Sequence, residues 1–176
     1  MSNVFFTADT HFNHKAIIWY CNRPYKSVED MNESIVFRWN EVVRPNDTIY
    51  HLGDFSFRGQ KYKEVLAALN GNIYLIQGNH DRGPILKDKR FKEVTLMKSI
   101  DVDKVSLVLC HYAMRVWHKS HYGSWQLYGH SHGRLADLSL SKATDVGVDR
   151  WSFKPVGFEE IRLYMDARGI GYGACR

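Results

Sequence analysis

The chain has 176 residues, 44% hydrophobic and 14% aromatic, which is enough apolar side chain for a sizeable core and excludes overall disorder. No apolar run approaches the ~20 residues of a membrane-spanning helix. Residues 1–9 lack the basic flank and apolar stretch of a signal peptide. Three cysteines without paired spacing (Cys21, Cys110, Cys175) suit a reduced, cytoplasmic protein better than a disulfide scaffold. The 24 Lys and Arg against 19 Asp and Glu give a net charge of +5, spread along the chain, so anionic partners are favoured only mildly.

In chain order, Val4-Phe5-Phe6-Thr7 predicts a strand that runs out into Ala8-Asp9. Ser27 is the expected N-cap of a helix whose apolar positions are Val28, Met31, Ile35, Trp39, Val42 and Val43. A second strand, Thr48-Ile49-Tyr50-His51-Leu52, ends at Gly53-Asp54. Tyr62, Val65, Leu66 and Leu69 predict another helix, stopped by Asn70-Gly71. The strand Asn72-Ile73-Tyr74-Leu75-Ile76 ends at Gly78-Asn79-His80-Asp81. Ser99 to Val102, a turn at Asp103-Lys104 and Val105 to Cys110 read as a hairpin ending at His111. Trp125 to Tyr128 ends at Gly129-His130. Ile161 to Met165 is a short regular segment, helix or strand, followed by a tail from Gly169 expected to fray. Strands alternating with helices, without repeats or linkers, predict a single α/β domain over residues 1–176.

Five hydrophobic strands thus run out into Asp, Asn or His: Asp9-x-His11, Gly53-Asp54, Gly78-Asn79-His80-Asp81, His111 and Gly129-His130-Ser131-His132. Residues i and i+2 of an extended segment share a face, so Asp9 with His11, and His130 with His132, can aim at one point. The donors are oxygen and nitrogen, with no cysteine, which suits Mn²⁺, Fe, Zn²⁺ or Mg²⁺ rather than a thiolate-bound zinc. Each piece alone is an ordinary turn or polar strand end; all five in this order are not.

These motifs resemble the signature of the calcineurin-like metallophosphoesterase superfamily: D-x-H, G-D, G-N-H-D/E, a single H, and G-H-x-H. The segments Cys21-Asn22-Arg23-Pro24-Tyr25, Tyr50-His51-Leu52-Gly53-Asp54 and Asp145-Val146-Gly147-Val148-Asp149 resemble more closely its short stand-alone bacterial and phage members. The resemblance implies a β-sandwich flanked by helices, with two divalent metal ions at the strand ends. Manganese is the first expectation, and iron, zinc, magnesium and nickel are compatible. One metal would be held by Asp9, His11, Asp54 and His132, the other by Asp54, Asn79, His111 and His130, with Asp54 shared. Hydroxide between the metals would attack phosphorus, His80 would act as general acid, and Asp81 would orient His80.

The expected substrates are phosphodiesters or nucleotides, with nucleic acid also admissible, no membrane partner, and the oligomeric state open. The alternatives are a non-catalytic interaction module on the same fold and a serine/threonine-type protein phosphatase. Arg58 lies in Gly-Asp-Phe-Ser-Phe-Arg-Gly, which resembles the G-D-x-x-D-R-G of those phosphatases, but Phe57 replaces the Asp. Arg23, Arg58 and Arg82 are candidate phosphate-binding residues, although a surface role is the commoner one for arginine. Trp117, Tyr122, Trp125 and Tyr128 could stack a nucleobase or simply pack. His14 and His51 could support metal ligands or pack, His118 and His121 are expected to be solvated, and Cys110 is expected in the core.

Overall fold

The computed structural model describes residues 3–59, 61–137 and 141–168, so the tail from Gly169, with Cys175, lies outside the described residues. Four of the first sheet's strands, β1 (Val4–Thr7), β2 (Thr48–His51), β3 (Asn72–Ile76) and β4 (Val94–Thr95), run parallel. The last strand of the chain, β9 (Val156–Gly157), pairs antiparallel with β1, giving the order β4-β3-β2-β1-β9. The second sheet has the order β5-β6-β7-β8, from β5 (Met97–Val102), β6 (Val105–Cys110), β7 (Trp125–Tyr128) and β8 (Ala143–Asp145). Here β5 and β6 form the predicted hairpin, whose turn residues Asp103 and Lys104 both take positive φ, while β6, β7 and β8 are parallel. This is the sandwich flanked by helices that the motifs led us to expect.

Strand alternation separates the two cores. Phe6, Leu52 and Ile76 point from the first sheet onto Leu107, Leu109, Trp125 and Leu127 of the second. Helix α4 (Phe158–Asp166) closes the same core with Phe158, Ile161 and Met165, so the ambiguous C-terminal segment is a helix. Ile49, Ile73 and Leu75 face the opposite way, onto helices α2 (Val28–Val42) and α3 (Tyr62–Ala68). Helix α2 starts where expected: Ser27 Oγ accepts the Asp30 N–H at 3.1 Å, Glu29 and Asp30 sit in its first turn, and Met31, Ile35 and Trp39 are buried. The short α1 (Ile17–Tyr20) and the two- and three-residue strands β4, β8 and β9 carry too little periodicity to be read from sequence.

His51 is fully buried at the end of β2, its ring lying on Trp39 and edge-on to Phe55. The Thr10 hydroxyl donates to the Phe55 carbonyl, so His51 Nε2 donates to Thr10 Oγ1, at 2.9 Å, and Nδ1 carries a lone pair with no partner. Burial first, then the neighbouring His111, lowers its pKa from 6.5 to about 3. Between those values the unfolded chain binds a proton that the folded chain refuses. Stability contributed by this group is therefore complete above pH 6.5 and is lost as pH falls towards 3, by up to ~5 kcal/mol at 1.36 kcal/mol per unit. Denaturant melts of wild type and His51→Leu across that range check this. The variant's relative stability should climb as pH falls, and parallel curves would refute the assignment.

Candidate metal centre

Because β1, β2 and β3 are parallel, their C-terminal ends deliver Asp9, Asp54 and Asn79 to one edge, and the parallel pair β6 and β7 brings His111 and His130 to it. Backbone bonds lace these loops together: Asp9 N–H to Gly53 O, His11 N–H to Asp54 O, and Gly129 N–H to His111 O, each 2.9–3.0 Å. Asp9, His11, Asp54, His130 and His132 all have φ between 50° and 67°, the left-handed region that non-glycine residues rarely occupy. Each such residue costs of order 1–3 kcal/mol, a strain the two packed cores must sustain. Gly53 is required at φ 95°, since a Cβ there would lie 2.5 Å from the His111 ring.

The seven candidate ligands converge in two groups. Asp9, His11 and His132 have donor atoms within 4.8 Å of one another, and so do Asp54, His111 and His130. Asp54 Oδ2 stands between the groups, 3.5 Å from His11 Nε2 and 3.6 Å from His111 Nε2. Asn79 Oδ1 lies 3.1 Å from His111 Nε2.

The donor chemistry fits a cation in both groups. His111 Nδ1 donates to the Leu52 carbonyl at 2.7 Å, leaving a lone pair on Nε2 that faces two oxygens. Burial holds His111 below the ordinary histidine value, so no proton fills that gap. His11 Nδ1 bonds His14 Nδ1 at 3.3 Å, and buried His11 Nε2 has no hydrogen-bond partner; nor has Asp9 Oδ1. Converging acceptors without donors are costly unless a positive charge joins them. Burial pushes the Asp9 carboxyl well up, as expected of a desolvated acid lacking that charge. Burial opposes a charged His132, but Asp149, Cys21 and Asp9 outweigh it and raise its pKa to about 10, so a proton there supplies part of the missing charge.

The positions around this cluster correct several expectations. Asp81 does not reach the His80 ring. It is fully buried, with Oδ1 accepting Phe55 N–H at 2.9 Å and Oδ2 accepting Asp54 N–H and Gly78 N–H at 2.8 and 2.9 Å. Three backbone donors occupy the carboxylate because the β2 and β3 end loops fold over it. Burial nevertheless pushes its pKa up to about 6. Asp81→Ala is expected to cost about 3 kcal/mol by stranding those N–H groups, read as a lowered denaturation midpoint. His80 instead pairs with Asp54: its N–H donates to Asp54 Oδ1 at 2.8 Å and its Nε2 lies 4.0 Å from Oδ2.

None of the three arginines lines the cleft above the cluster, a cavity of about 380 Å³. Arg23 is buried and fully engaged with Asp149 and with backbone carbonyls. Arg58 is exposed, its guanidinium 5.0 Å above Phe57, and Arg82 is exposed and donates to the Asn79 carbonyl. Trp117, Trp125 and Tyr128 are core residues and Tyr122 is solvent-exposed. The aromatic rings at the cleft are Tyr20, 67% exposed, and Phe57, with Tyr112 against His130 at a ring separation of 4.7 Å. His14 does both things foreseen for it, since its ring also stacks on Phe57 at 4.0 Å. Asp149, which accepts the His132 Nδ1–H at 2.7 Å, is absent from the candidate site residues and enters the sequence reading only within the Asp-Val-Gly-Val-Asp segment that carries the family resemblance.

A protein with this two-sheet fold and this edge of carboxylates and imidazoles is a calcineurin-like phosphoesterase by architecture. The model of the calcineurin-like phosphoesterase superfamily domain matches residues 3–145, and the chain belongs to that superfamily. It is 34% identical to the uncharacterised protein MJ1445 of Methanocaldococcus jannaschii, over 92% of this chain and 90% of that one. It is 26% identical to the gene 66 protein of Mycobacterium phage D29, over 92% and 95% respectively. Among solved structures, a protein of unknown function from Aquifex aeolicus, AQ665, superposes with a TM-score of 0.72 at 23% identity, covering 93% of this chain and all of that one, which speaks for the fold.

Proposed function

We propose that the protein is a dinuclear metal-dependent phosphoesterase acting on phosphodiesters, with nucleotides as the favoured class. The observation that carries this reading is the position of Asp54 Oδ2 between His11 and His111, where one carboxylate serves both ligand groups. Asp9, His11, Asp54 and His132 would hold one divalent ion, and Asp54, Asn79, His111 and His130 the other. Such a pair supplies charge neutralisation at the phosphoryl oxygens and a water acidified towards neutral pH. Asp9 and Asp54 are the only formal anions in the set, so the loaded centre attracts phosphate.

The remaining chemistry belongs to the chain. His80 stands at the cleft with its side chain 34% exposed and Nε2 beside Asp54, where it can hold a proton and pass it to a departing alkoxide. The choice of diester is supported by charge: among the described residues no lysine or arginine lines the cleft, so no side-chain cation there adds to the ions in offsetting the second charge of a monoester. Tyr20, with its exposed ring on the cleft wall, offers a nucleobase a stacking face.

The test is hydrolysis of bis(4-nitrophenyl) phosphate and 4-nitrophenyl phosphate by metal-stripped protein refilled with Mn²⁺, Mg²⁺ or Zn²⁺. Turnover that needs a divalent ion and favours the diester is expected. Absence of turnover with two ions bound would sink the reading.

A further inference from the structure

We infer that Arg23 and Asp149 are positioning residues for one half of the metal centre, setting the affinity of the Asp9–His11–His132 group separately from that of the Asp54–His111–His130 group. This rests on the dinuclear reading above. Arg23 is 4% exposed and follows α1, 126 residues from Asp149. Its Nε and Nη2 grip Asp149 Oδ1 and Oδ2, both at 2.8 Å, as a planar fork. The same guanidinium donates to Thr10 O at 2.9 Å and to Asp9 O at 2.6 Å. Asp149 Oδ2 in turn accepts His132 Nδ1–H at 2.7 Å.

One buried cation therefore fixes the backbone of Asp9 and, through Asp149, the ring of His132. With Nδ1–H donating to Asp149, Nε2 is the ring atom left to face a bound ion, which would take the place of a proton there. The other group is held differently: His111 leans on a neutral carbonyl, that of Leu52, and the guanidinium nearest that group, of exposed Arg82, reaches the Asn79 backbone carbonyl and no imidazole or carboxylate among the described residues. A carboxylate behind an imidazole makes it a stronger ligand than a carbonyl does. The two halves should therefore fill in order, the Asp9 half first.

The experiment titrates Mn²⁺ into the stripped full-length chain by calorimetry, for wild type, Asp149→Asn and Arg23→Lys. Wild type is expected to bind two ions. Both variants are expected to bind one of them ~10–100-fold more weakly, with the other affinity unchanged. Ring ¹⁵N shifts of the Zn²⁺-loaded wild type supply a readout that needs no variant, with His132 protonated on Nδ1. Variants that bind both ions like wild type, or lose both equally while folded, would overturn the inference. Should Asp149→Asn not fold, a proton on His132 Nε2 would do the same. A wild type that binds no ion overturns the phosphoesterase reading itself, before any variant is compared.

Discussion

Asp54→Asn is expected to reduce diester hydrolysis by ~10³-fold or more, because several kcal/mol of transition-state stabilisation from bound cations would go, at tenfold per 1.36 kcal/mol. Asp54 is the carboxylate common to both ligand groups, lying 3.5 and 3.6 Å from the imidazoles of each. Asparagine keeps its shape, and its side-chain oxygen can still accept the His80 N–H. What it removes is one of only two formal negative charges among the candidate ligands. Metal analysis of the purified variant should therefore show fewer than two ions per chain, while its metal-free melting temperature stays close to that of wild type. A variant retaining two ions and wild-type turnover would exclude Asp54 as a shared ligand.

His80→Ala carries the second large effect, and its size should depend on the leaving group. General-acid catalysis contributes typically 10²–10⁴-fold, and only where the departing oxygen needs a proton. A 4-nitrophenolate leaves well unprotonated, whereas a nucleoside or alkyl alkoxide does not. The loss in kcat/KM is therefore expected to be ~10²-fold or more on an alkyl diester and small on bis(4-nitrophenyl) phosphate. The same loss on both substrates would make His80 a binding residue rather than a proton donor. Asp81→Asn is the informative partner. The Asp81 carboxylate braces the backbone of Asp54, Phe55 and Gly78, so its effect should appear in stability and fall on both leaving groups alike.

Much of this was legible in the chain. The helix starting at Ser27, the hairpin turning at Asp103-Lys104 and the strands ending in Asp9, Asp54, Asn79 and His111 follow from local rules: a cap, a turn and runs of β-prone residues. The arginines are less legible. Arg23, Arg58 and Arg82 look alike in sequence, yet one is buried beside the Asp9 backbone and two are exposed, outside the lining of the cleft. Whether a guanidinium meets a phosphate or a carboxylate depends on which loop lies opposite, and for Arg23 that loop is 126 residues away. Asp81 shows the same limit: adjacency to His80 suggests a partner, whereas the fold presents three backbone N–H groups to its carboxylate.

The sequence by itself determined the donor set, its placement at strand ends and the α/β class, because metal-ligand chemistry and strand alternation are written in residue type and spacing. Only the tertiary structure decided which donor atoms lie within 4.8 Å of one another, which carboxylates are already occupied, and that five of the seven candidate ligands sit at left-handed φ. Those outcomes depend on parallel strands bringing loops from distant segments to one edge, and on two hydrophobic cores rigid enough to hold unpaired acceptors within ångströms of one another.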